Sequence, residues 1–588
     1  MNHKKSMKKS LLFIFLANFF VFYTKAQSNF KLSDPFCMEL LKGNFPADSF
    51  SSRPILSNRI LPILLNKNIN KDSIAYFLKG IVSFQNRNTI NDFNEKPNQG
   101  IRGARNWIKS HLDKWSDQPG ADLFSCEFEF DYLMCNRTRH SQLLSIIPGH
   151  GPLRKELVIL EAHLDSRCES LCDTICLAEG ADDNGSGSAL LMEISRNLCL
   201  FSLSRTIVIL WVTGEEQGLG GSRSFATFCK QNAIPIKAVF NNDIVGGIEC
   251  GKTSSPPSCP GPYQYDSTRL RLFSSGVTNS MSKNLARLSK LIIDDASKDS
   301  SFHLPQIDVM FGEDRSGRGS DHIPFRELGY SAVRFTSSYE HGDGNPNQPD
   351  YTDRQHSSRD ILGQDINGDG ILDSFYVDFN YLRNNTLVNA ISAVNAASST
   401  FDPYKLQLIP DVNSLVVKIE NPQNALEYII GIRKINSAYF DTIIFSKFPE
   451  ITINDLNAST YYVTAAGRDS NGWIGMFGQE YNARILSNTN NLSFASPVEL
   501  LQNRPNPFDE LTLIPIIIND PQFVKNAQLE IYTESGHSIK FIKLDLKTGL
   551  NEILYDYQWN NYNSGNYFYS LRINGKIIST KKMILGNF

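Results

Sequence analysis

Acidic and imidazole side chains follow three short apolar runs, each close to the point where the run ends. They are His163 after Leu157–Leu160, Glu215 and Glu216 after Ile207–Val212, and Asp243 after Ala238–Phe240. Uninterrupted Val, Ile and Leu runs are typical of strands buried on both faces of a parallel sheet. Because ligands of open α/β sheets bind outside the carboxyl ends of the strands, these four side chains should converge at one edge.

Two further segments supply side chains of the same kind. The Gly-rich segment GADDNGSG contains Asp183 and opens a helix predicted over Gly187–Leu198. A fourth and less uniform apolar run, Ser331–Phe335, leads into a long loop that contains His341 and His356. Each residue alone has an ordinary interpretation, such as a helix N-cap for Asp183. Their common position at one sheet edge indicates a joint function.

This mixture of side chains suits a hydrolytic metal site. Imidazole and carboxylate groups are ligands that zinc accepts, and a catalytic zinc keeps one coordination position open for water. Two metal ions about 3.5–4 Å apart need a bridging carboxylate and can clamp the attacking and leaving oxygens together. A neighbouring carboxylate that binds no metal can then accept the proton of the attacking water.

The rest of the chain must position these residues within a large multidomain protein. Its 588 residues exceed what a single hydrophobic core supports, so three or more domains are expected. The formal net charge of −3 gives no electrostatic argument for a nucleic-acid partner. Residues 67–400 alternate between helix and strand patterns, which predicts an α/β domain whose mixed, largely parallel central sheet lies between helices.

The N-terminus has the pattern of an export signal. Four lysines precede the apolar run Leu11–Tyr23, and Thr24-Lys25-Ala26 matches a cleavage site. That run is shorter than the ~20 apolar residues of a membrane-spanning helix, so residues 1–26 are predicted to be a cleaved signal peptide. Residues 27–66 have weak periodicity and form either a propeptide or an N-terminal arm. The protein is therefore expected to be secreted or displayed at the cell surface.

Ten cysteines are compatible with disulfide bonds in an exported protein. Cys168, Cys172 and Cys176 lie in one short stretch, and Cys250 and Cys259 follow downstream. Disulfide bonds are favoured over a structural zinc site in this stretch, although spacing does not reveal the connectivity.

Helical patterns stop near residue 400, and two small all-β sandwich domains are predicted over residues 401–486 and 497–588. The polar segment between them indicates a linker. In the last domain, Asn574-Gly575 separates two strand-like runs, which is a strong signal for a β-hairpin.

Six phrases appear in the order of one known family. They are HLDS at 163–166, GADDNGSG at 180–187, TGEEQGLGGS at 213–222, NND at 241–243, SDHIPF at 320–325 and DRQHSSRD at 353–360. Together they resemble the secreted di-zinc aminopeptidases, whose relatives include glutamate carboxypeptidase-like enzymes and glutaminyl cyclases. The resemblance covers roughly residues 73–400 and implies the zinc exopeptidase fold, two zinc ions, and peptide or protein N-termini as substrates.

The resemblance also implies a role for each residue of the site. Asp183 would bridge the two zinc ions, with a cis peptide bond between it and Asn184. The remaining roles are His163 and Asp243 at one zinc, Glu216 and His356 at the other, and Glu215 as the general base for the metal-bound water.

Three histidines and one aspartate near the site are assigned less directly. Asp165 would orient His163 from outside the ligand set, and His322 would lie beside the substrate or behind the ligands. His341 competes with His356 for the second zinc.

Two alternative functions remain open. The phrase DHIPF is shared with glutaminyl cyclases, which can work with one zinc, whereas the Asp-Asn pair of GADDNGSG follows the hydrolases. A non-catalytic surface-binding protein could also retain the fold, although all five ligands and the base are present.

The two β domains resemble modules that determine where a protein is located and do not take part in its chemistry. Residues 402–485 resemble a fibronectin type III module, with Leu456 and Tyr461 in the pattern of its tyrosine corner. The last domain resembles the C-terminal sorting domain of type IX secretion, on NRPNPF at 503–508 and GNYFYSL at 565–571. This resemblance implies the secretion machinery as a partner.

A structural calcium site is predicted after the last zinc ligand. Asp365, Asn367 and Asp369 place side-chain oxygens at alternate positions, a glycine follows, and the Ile371 carbonyl and Asp373 come next. This is the first half of an EF-hand-type loop, although the bidentate glutamate of the twelfth position is missing.

Overall fold

The chain folds into one α/β domain followed by two β-sandwiches. The computed structural model describes residues 29–46, 49–50, 53–250, 263–276, 279–314, 318–339, 354–485, 497–504, 506–508, 511–523, 525–556 and 565–585. The predicted signal peptide and His341 lie outside these residues. No helix in the described ranges is both long and apolar enough to cross a membrane.

A nine-stranded mixed sheet forms the centre of the α/β domain, with strand order β1-β2-β3-β5-β4-β6-β9-β7-β8. Its strands are β1 Lys31–Leu32, β2 Phe124–Met134, β3 Arg137–Ile147, β4 Leu157–His163, β5 Thr206–Val212, β6 Ile236–Asn242, β7 Arg269–Ser274, β8 Gln306–Val309 and β9 Ala332–Ser337. A separate two-stranded ribbon consists of β10 Gly363–Gln364 and β11 Ser374–Phe375.

Helices cover the sheet. They are α1 Phe36–Leu41, α2 Leu61–Asn68, α3 Lys71–Val82, α4 Gly100–Ser116, α5 Gly187–Leu198, α6 Gly220–Gln231, α7 Met281–Ala296, α8 His322–Glu327 and α9 Phe379–Ser398. In α4, the residues predicted at helical spacing, from Ile101 to Trp115, are buried. The pattern therefore identified both the helix and the face that it buries.

The four apolar runs noted in the sequence form the four central strands. Strands β5, β4, β6 and β9 run parallel to one another in this spatial order. Every residue of β4 and β5 is buried, as expected for strands covered on both faces. The α/β fold class is thus confirmed. Outside this centre the pairing is mixed, because β1, β2 and β3 add antiparallel neighbours, and β7 is antiparallel to β9 but parallel to β8.

The N-terminal arm packs against this domain. Lys31 and Leu32 pair with Glu129 and Phe128 at the edge of the sheet. Cys37, Leu40 and Leu41 of α1 are buried in the same hydrophobic cluster as β2, β3 and β5. The described part of residues 27–66 is therefore packed into the fold. Whether this segment is a propeptide or a permanent N-terminal arm stays open.

The first β-sandwich consists of a three-stranded and a four-stranded sheet. Its strands are β12 Lys405–Asp411, β13 Ser414–Glu420, β14 Glu427–Lys434, β15 Thr442–Ser446, β16 Glu450–Ile453, β17 Ser459–Arg468 and β18 Tyr481–Ile485. The Tyr461 hydroxyl donates to the Asn457 carbonyl at 3.2 Å, as in the tyrosine corner that the sequence suggests. Membership of the fibronectin type III class stays a prediction.

This sandwich is packed on the α/β domain. Trp473 and Phe477 are fully buried and belong to the same hydrophobic core as α7 and α9. The Asn395 side chain bonds both backbone groups of Ile474, at 2.8 and 3.0 Å. Arg287 and Glu480 form a buried ion pair of 2.9 Å across the same contact.

The second β-sandwich has the same three-plus-four arrangement. Its strands are β19 Val498–Leu500, β20 Leu511–Ile518, β21 Ala527–Thr533, β22 Ser538–Leu544, β23 Gly549–Asp556, β24 Gly565–Ile573 and β25 Lys576–Leu585. Asn574 and Gly575 both have positive φ and connect β24 to β25, so the predicted hairpin is present.

Candidate metal centre

The carboxyl ends of the central strands bring the predicted ligands together. His163 is the last residue of β4, Glu215 and Glu216 follow β5, and Asp243 follows β6. Asp183 lies in the turn that precedes α5, and the bond between Asp183 and Asn184 is cis. The convergence expected from the strand ends, and the cis bond implied by the family resemblance, are both present.

The turn before α5 requires glycine at its closest contact. A Cβ atom on Gly187 would lie 2.4 Å from Asn184 Oδ1 and 2.5 Å from the Asn242 carbonyl oxygen. Such distances are far inside van der Waals contact, so a larger residue would displace the turn that carries Asp183. This contact accounts for one glycine of the segment GADDNGSG.

Two groups of three ligand residues share Asp183. In the first, His163 Nε2 lies 3.2 Å from Asp183 Oδ1 and 3.4 Å from Asp243 Oδ1. In the second, His356 Nε2 lies 3.3 Å from Asp183 Oδ2 and 3.4 Å from Glu216 Oε2. Each group has its ligand atoms close enough to surround one ion. The two oxygens of Asp183 thus face different triads.

The donor set suits a pair of divalent cations. Each triad offers one imidazole and two carboxylates, a combination that zinc accepts in catalytic sites. The electrostatics agree, because burial and then neighbouring carboxylates hold the pKa of Glu216 well above its ordinary value. Burial also raises the pKa of Glu215 well above its ordinary value, with a further contribution from Asp243. Buried carboxylates at this density are stabilised by cations.

Asp165 holds the loop that carries the two glutamates. Its carboxylate accepts backbone N–H bonds from Gly214 at 2.9 Å and from Glu216 at 3.2 Å. His163 Nδ1 instead lies 3.0 Å from the backbone carbonyl of Asp165, and 3.8 Å from the carboxylate. Asp165 therefore contacts His163 through its backbone carbonyl. The carboxylate of Asp165 binds the loop that carries Glu215 and Glu216 instead.

Two more buried carboxylates link ligand-bearing segments in the same way. Asp360 accepts backbone N–H bonds from Asp182 at 3.0 Å and from Asp183 at 2.9 Å. Asp182 in turn accepts N–H bonds from Gly246 and Gly247, just after Asp243, both at 2.9 Å. Each of these segments is thus held by a carboxylate from another.

Sequence reasoning missed three residues of this supporting network. Asp360 lies in the phrase DRQHSSRD but was given no role. Arg334, a charge inside the apolar run of β9, pairs with Asp243 at 3.2 Å and with Asp314. Arg87 is fully buried and donates to the carbonyls of Leu164, at 2.8 Å, and Gly180, at 3.1 Å. The charge in an apolar strand was an available signal, whereas Arg87 offered none.

His322 is not on the wall of the cavity beside the ligands. It begins α8, is fully buried, and burial lowers its pKa to about 4. The surrounding charges are Asp314 and Arg334, so His322 packs behind the Asp243 side of the site. Of the two positions that the sequence suggested for His322, the described contacts correspond to the one behind the ligands, and its role stays a prediction.

A cavity of about 230 Å³ opens beside the ligands. Its described lining contains four of the carboxylates, His356, three arginines, two glycines and two apolar side chains. The lining residues are Arg167, Asp183, Glu215, Glu216, Gly218, Leu219, Asp243, Ile244, Arg318, Gly319, Arg334 and His356. Glu215 lines the cavity without belonging to either triad, which is the position required of a general base.

Two disulfide bonds cross-link the insertion between His163 and Asp183. They join Cys168 to Cys176 and Cys135 to Cys172. The disulfide interpretation of the clustered cysteines is therefore supported over a structural zinc site. The second bond ties the insertion to the turn between β2 and β3 and fixes one wall of the cavity.

The predicted calcium loop is an exposed turn between β10 and β11. Asp365 accepts backbone N–H bonds from Gly368, at 2.7 Å, and from Gly370, at 2.8 Å. Asp373 accepts a 2.7 Å bond from the Ile366 N–H. The alternating oxygens therefore close the turn on itself, and calcium binding by Asp365, Asn367, Asp369, Ile371 and Asp373 stays a prediction.

The α/β domain is similar in sequence to known proteins. Residues 143–375 match the sequence profile of the family described as Peptidase family M28. A "Probable zinc metalloprotease" of Leptosphaeria maculans is 28% identical over 53% of this chain and 71% of its own length. Another, of Pyrenophora teres, is 28% identical over 46% of this chain but only 58% of its own length. A "Probable leucine aminopeptidase" of Arthroderma otae is 25% identical over 54% of this chain and 74% of that protein.

Solved structures give weaker likenesses. An aminopeptidase of Legionella pneumophila is 19% identical and covers 60% of this chain and 80% of its own, with a TM-score of 0.40. A leucine aminopeptidase precursor from Bacteroides thetaiotaomicron is 15% identical over 56% of this chain and 98% of its own, with a TM-score of 0.38. The M28 profile spans both triads and Glu215. Residues 143–375 are therefore similar to peptidase family M28, and the chain resembles zinc metalloproteases and aminopeptidases over its α/β domain.

Proposed function

We propose that the protein is a secreted aminopeptidase that holds two zinc ions and uses Glu215 as its general base. The observation that carries this proposal is the pair of triads that share Asp183, with Glu215 beside both. His163 and Asp243 would hold one ion with Asp183, and Glu216 and His356 the other. When bound, the two ions polarise the scissile carbonyl and lower the pKa of the attacking water.

Glu215 would perform the proton transfers. Its carboxylate accepts a proton from the attacking water as the water oxygen forms a bond to the peptide carbonyl carbon. The C–N bond then breaks, and Glu215 returns the proton to the leaving amine. Burial raises the pKa of Glu215, so its protonated form is accessible for the second transfer. Asp165 keeps the glutamate in place through the N–H groups of its loop.

Exopeptidase action on N-termini is supported by two observations. The cavity of about 230 Å³ beside the triads has room for only one or two residues. The relative from Arthroderma otae is named a leucine aminopeptidase. The alternative of a glutaminyl cyclase is less favoured, because two complete triads exceed the single zinc that a cyclase needs.

The decisive experiment assays the purified enzyme on paired peptides that differ only in N-acetylation, together with metal analysis. We expect hydrolysis of free peptides, little or none of blocked ones, and two zinc ions per chain. Cleavage of both peptides at equal rates would overturn the aminopeptidase assignment, and N-terminal cyclisation of Gln peptides without hydrolysis would favour the cyclase.

Export and sorting belong to the same proposal. The N-terminal signal pattern and the resemblance of residues 497–588 to a type IX sorting domain support delivery by that secretion machinery. We expect deletion of residues 497–588 to retain active enzyme inside the cell envelope. Normal release of the truncated protein would contradict the sorting role.

A further inference from the structure

The described wall of the cavity beside the triads carries three arginines as well as four carboxylates. Three arginines, Arg167, Arg318 and Arg334, contribute to its described wall. The apolar side chains in that described wall are Leu219 and Ile244. The described lining therefore resembles a binding site for a charged group more than a pocket for a large apolar side chain.

Arg334 is the most deeply buried of the three arginines and serves the metal centre. Its Nη2 lies 3.2 Å from Asp243 Oδ2, its Nη1 pairs with Asp314, and its side chain is only 1% exposed. Arg318 is half-buried, and its Nη2 donates to Gln355 Oε1 at 2.9 Å. The guanidinium of Arg318 therefore has at least one neutral partner.

Arg167 is held by its own loop and turns one edge to the cavity. Its Nε donates to the Cys168 carbonyl at 3.2 Å, and its Nη2 donates to the Glu169 carbonyl at 3.3 Å. Its Nη1 lies 3.9 Å from Glu216 Oε2, which is beyond hydrogen-bond distance. The side chain is 14% exposed and contributes to the wall of the cavity.

The loop that carries Arg167 is rigid for a surface insertion. One disulfide bond begins at the next residue, Cys168, and the other anchors Cys172 to Cys135. A guanidinium fixed in this way loses little side-chain freedom when it binds a partner. Such preorganisation is what a recognition residue requires.

The charges of the occupied site favour an anionic ligand. Two divalent ions would offset the four carboxylates of the lining, and the arginines then leave the cavity positive. We propose that Arg167, assisted by Arg318, binds a carboxylate of the substrate, which rests on the aminopeptidase function proposed above. The carboxylate is either the side chain of an N-terminal Asp or Glu, or the C-terminus of a dipeptide.

The test compares three matched substrates with the zinc-loaded full-length enzyme. Leu-Ala-amide has no carboxylate, Leu-Ala has one at its C-terminus, and Glu-Ala-amide has one in the first side chain. We expect kcat/KM for one of the last two to exceed that for Leu-Ala-amide by about tenfold or more, as for a charge-assisted hydrogen bond. Which of the two gains identifies the source of the carboxylate.

Substitutions assign the preference to Arg167. In R167Q the selectivity ratio should fall by about tenfold, and R167K should restore part of it, because lysine keeps the charge but not the two-pronged geometry. R223Q is the matched control. Arg223 lies on α6, pairs with Glu327 at 2.8 Å and does not line the cavity. Metal analysis of each variant checks that the loss is not one of zinc.

Binding separates this proposal from the proposed function. Calorimetry with the Glu215→Gln enzyme measures the affinity for the three peptides whether or not turnover occurs. Equal affinity for all three, or a preference that R167Q leaves intact, overturns carboxylate recognition even if the enzyme is an aminopeptidase. A preference that R167Q abolishes, in an enzyme that hydrolyses none of the three peptides, would retain the binding site and reject the catalytic function.

Discussion

The two triads that share Asp183 are built from different parts of the fold. His163 and Asp243 lie at the ends of adjacent central strands, and their side chains are 1% and 5% exposed. Glu216 lies in a loop, and His356 lies in an irregular segment with a positive φ of 53° and a side chain that is 19% exposed. We call the first pair the strand half and the second pair the loop half.

The strand half is also held by closer contacts to neighbouring side chains than the loop half. In the strand half, Asp243 is paired with the fully buried Arg334 at 3.2 Å. In the loop half, Glu216 faces Arg167 at 3.9 Å, and Asp360, four residues after His356, accepts the N–H of the bridging Asp183 at 2.9 Å. A rigid, desolvated ligand set binds a metal more tightly than a mobile one. The strand half should therefore retain its metal longer, whereas the loop half should be where exchange begins.

The largest effect is expected for the base, which belongs to neither half. Glu215→Gln should lower kcat by about 10²–10⁴-fold, the usual contribution of a positioned general base, while both metals stay bound. Glu216→Gln is the matched neighbour and should remove metal from the loop half. Zinc analysis and steady-state kinetics on both variants decide the assignment. Metal loss in the first variant with full metal and activity in the second would reverse the two roles.

The next effect compares the two histidines. His356→Ala should leave about one zinc per chain, because the strand half keeps its three ligands. His163→Ala should remove zinc from the strand half. In addition, it should lower the free energy of unfolding by more than about 1 kcal/mol, since it leaves an unfilled volume and unpaired carboxylates in a fully buried site. Chelator titration of the unmodified enzyme should release zinc in two phases. A single phase, or identical behaviour of the two variants, would remove the distinction between the halves.

The sequence predicted the strand half better than the loop half. His163 and Asp243 follow strands whose apolar runs were plain, so the rule for the carboxyl ends of strands placed them. His356 competed with His341 because no regular element fixed the position of either. Its ligand position came from resemblance to a family, and the structure places it by contacts that sequence spacing does not encode.

The outer sheet and the supporting network were less predictable for physical reasons. Strand β2, Phe124–Met134, has the alternating pattern of a half-buried antiparallel strand, but no site residue drew attention to it. Arg87 acts from a distant segment through backbone carbonyls, and such contacts depend on three-dimensional proximity alone. Asp165 was identified as important, but whether its side chain or main chain meets His163 depends on loop geometry.

A smaller effect is expected for the carboxylate that links the bridging residue to the loop half. Asp360→Asn should weaken zinc binding by about 10–100-fold, because an amide cannot accept both N–H bonds of Asp182 and Asp183 without presenting its own N–H groups. Asp378→Asn is the matched control, since Asp378 also accepts two backbone N–H bonds, at 2.8 Å, but at the start of α9. Competition with a chromogenic chelator measures the zinc affinity of both variants. Equal loss in the control would indicate a general effect on stability.

The smallest effect concerns the predicted calcium loop, which adjoins the loop half. The segment after His356 enters this turn through β10, and the Leu362 N–H donates to Glu179 beside the bridging turn at 3.0 Å. A calcium ion held by Asp365, Asn367, Asp369 and Asp373 would order that segment. Because calcium would bind the folded chain and not the unfolded one, linkage would raise the free energy of unfolding.

Calcium should therefore raise Tm and slow the first phase of zinc release, while the second phase, from the strand half, should be unchanged. D365A combined with D369A should abolish both effects, because it removes two of the alternating oxygens and leaves the zinc ligands intact. The measurement is a melting curve and a chelation time course at fixed zinc, with and without calcium. A Tm that is indifferent to calcium while zinc stays bound would show that the turn is closed by its own hydrogen bonds alone. In that case the loop half would depend on Asp360 for its order.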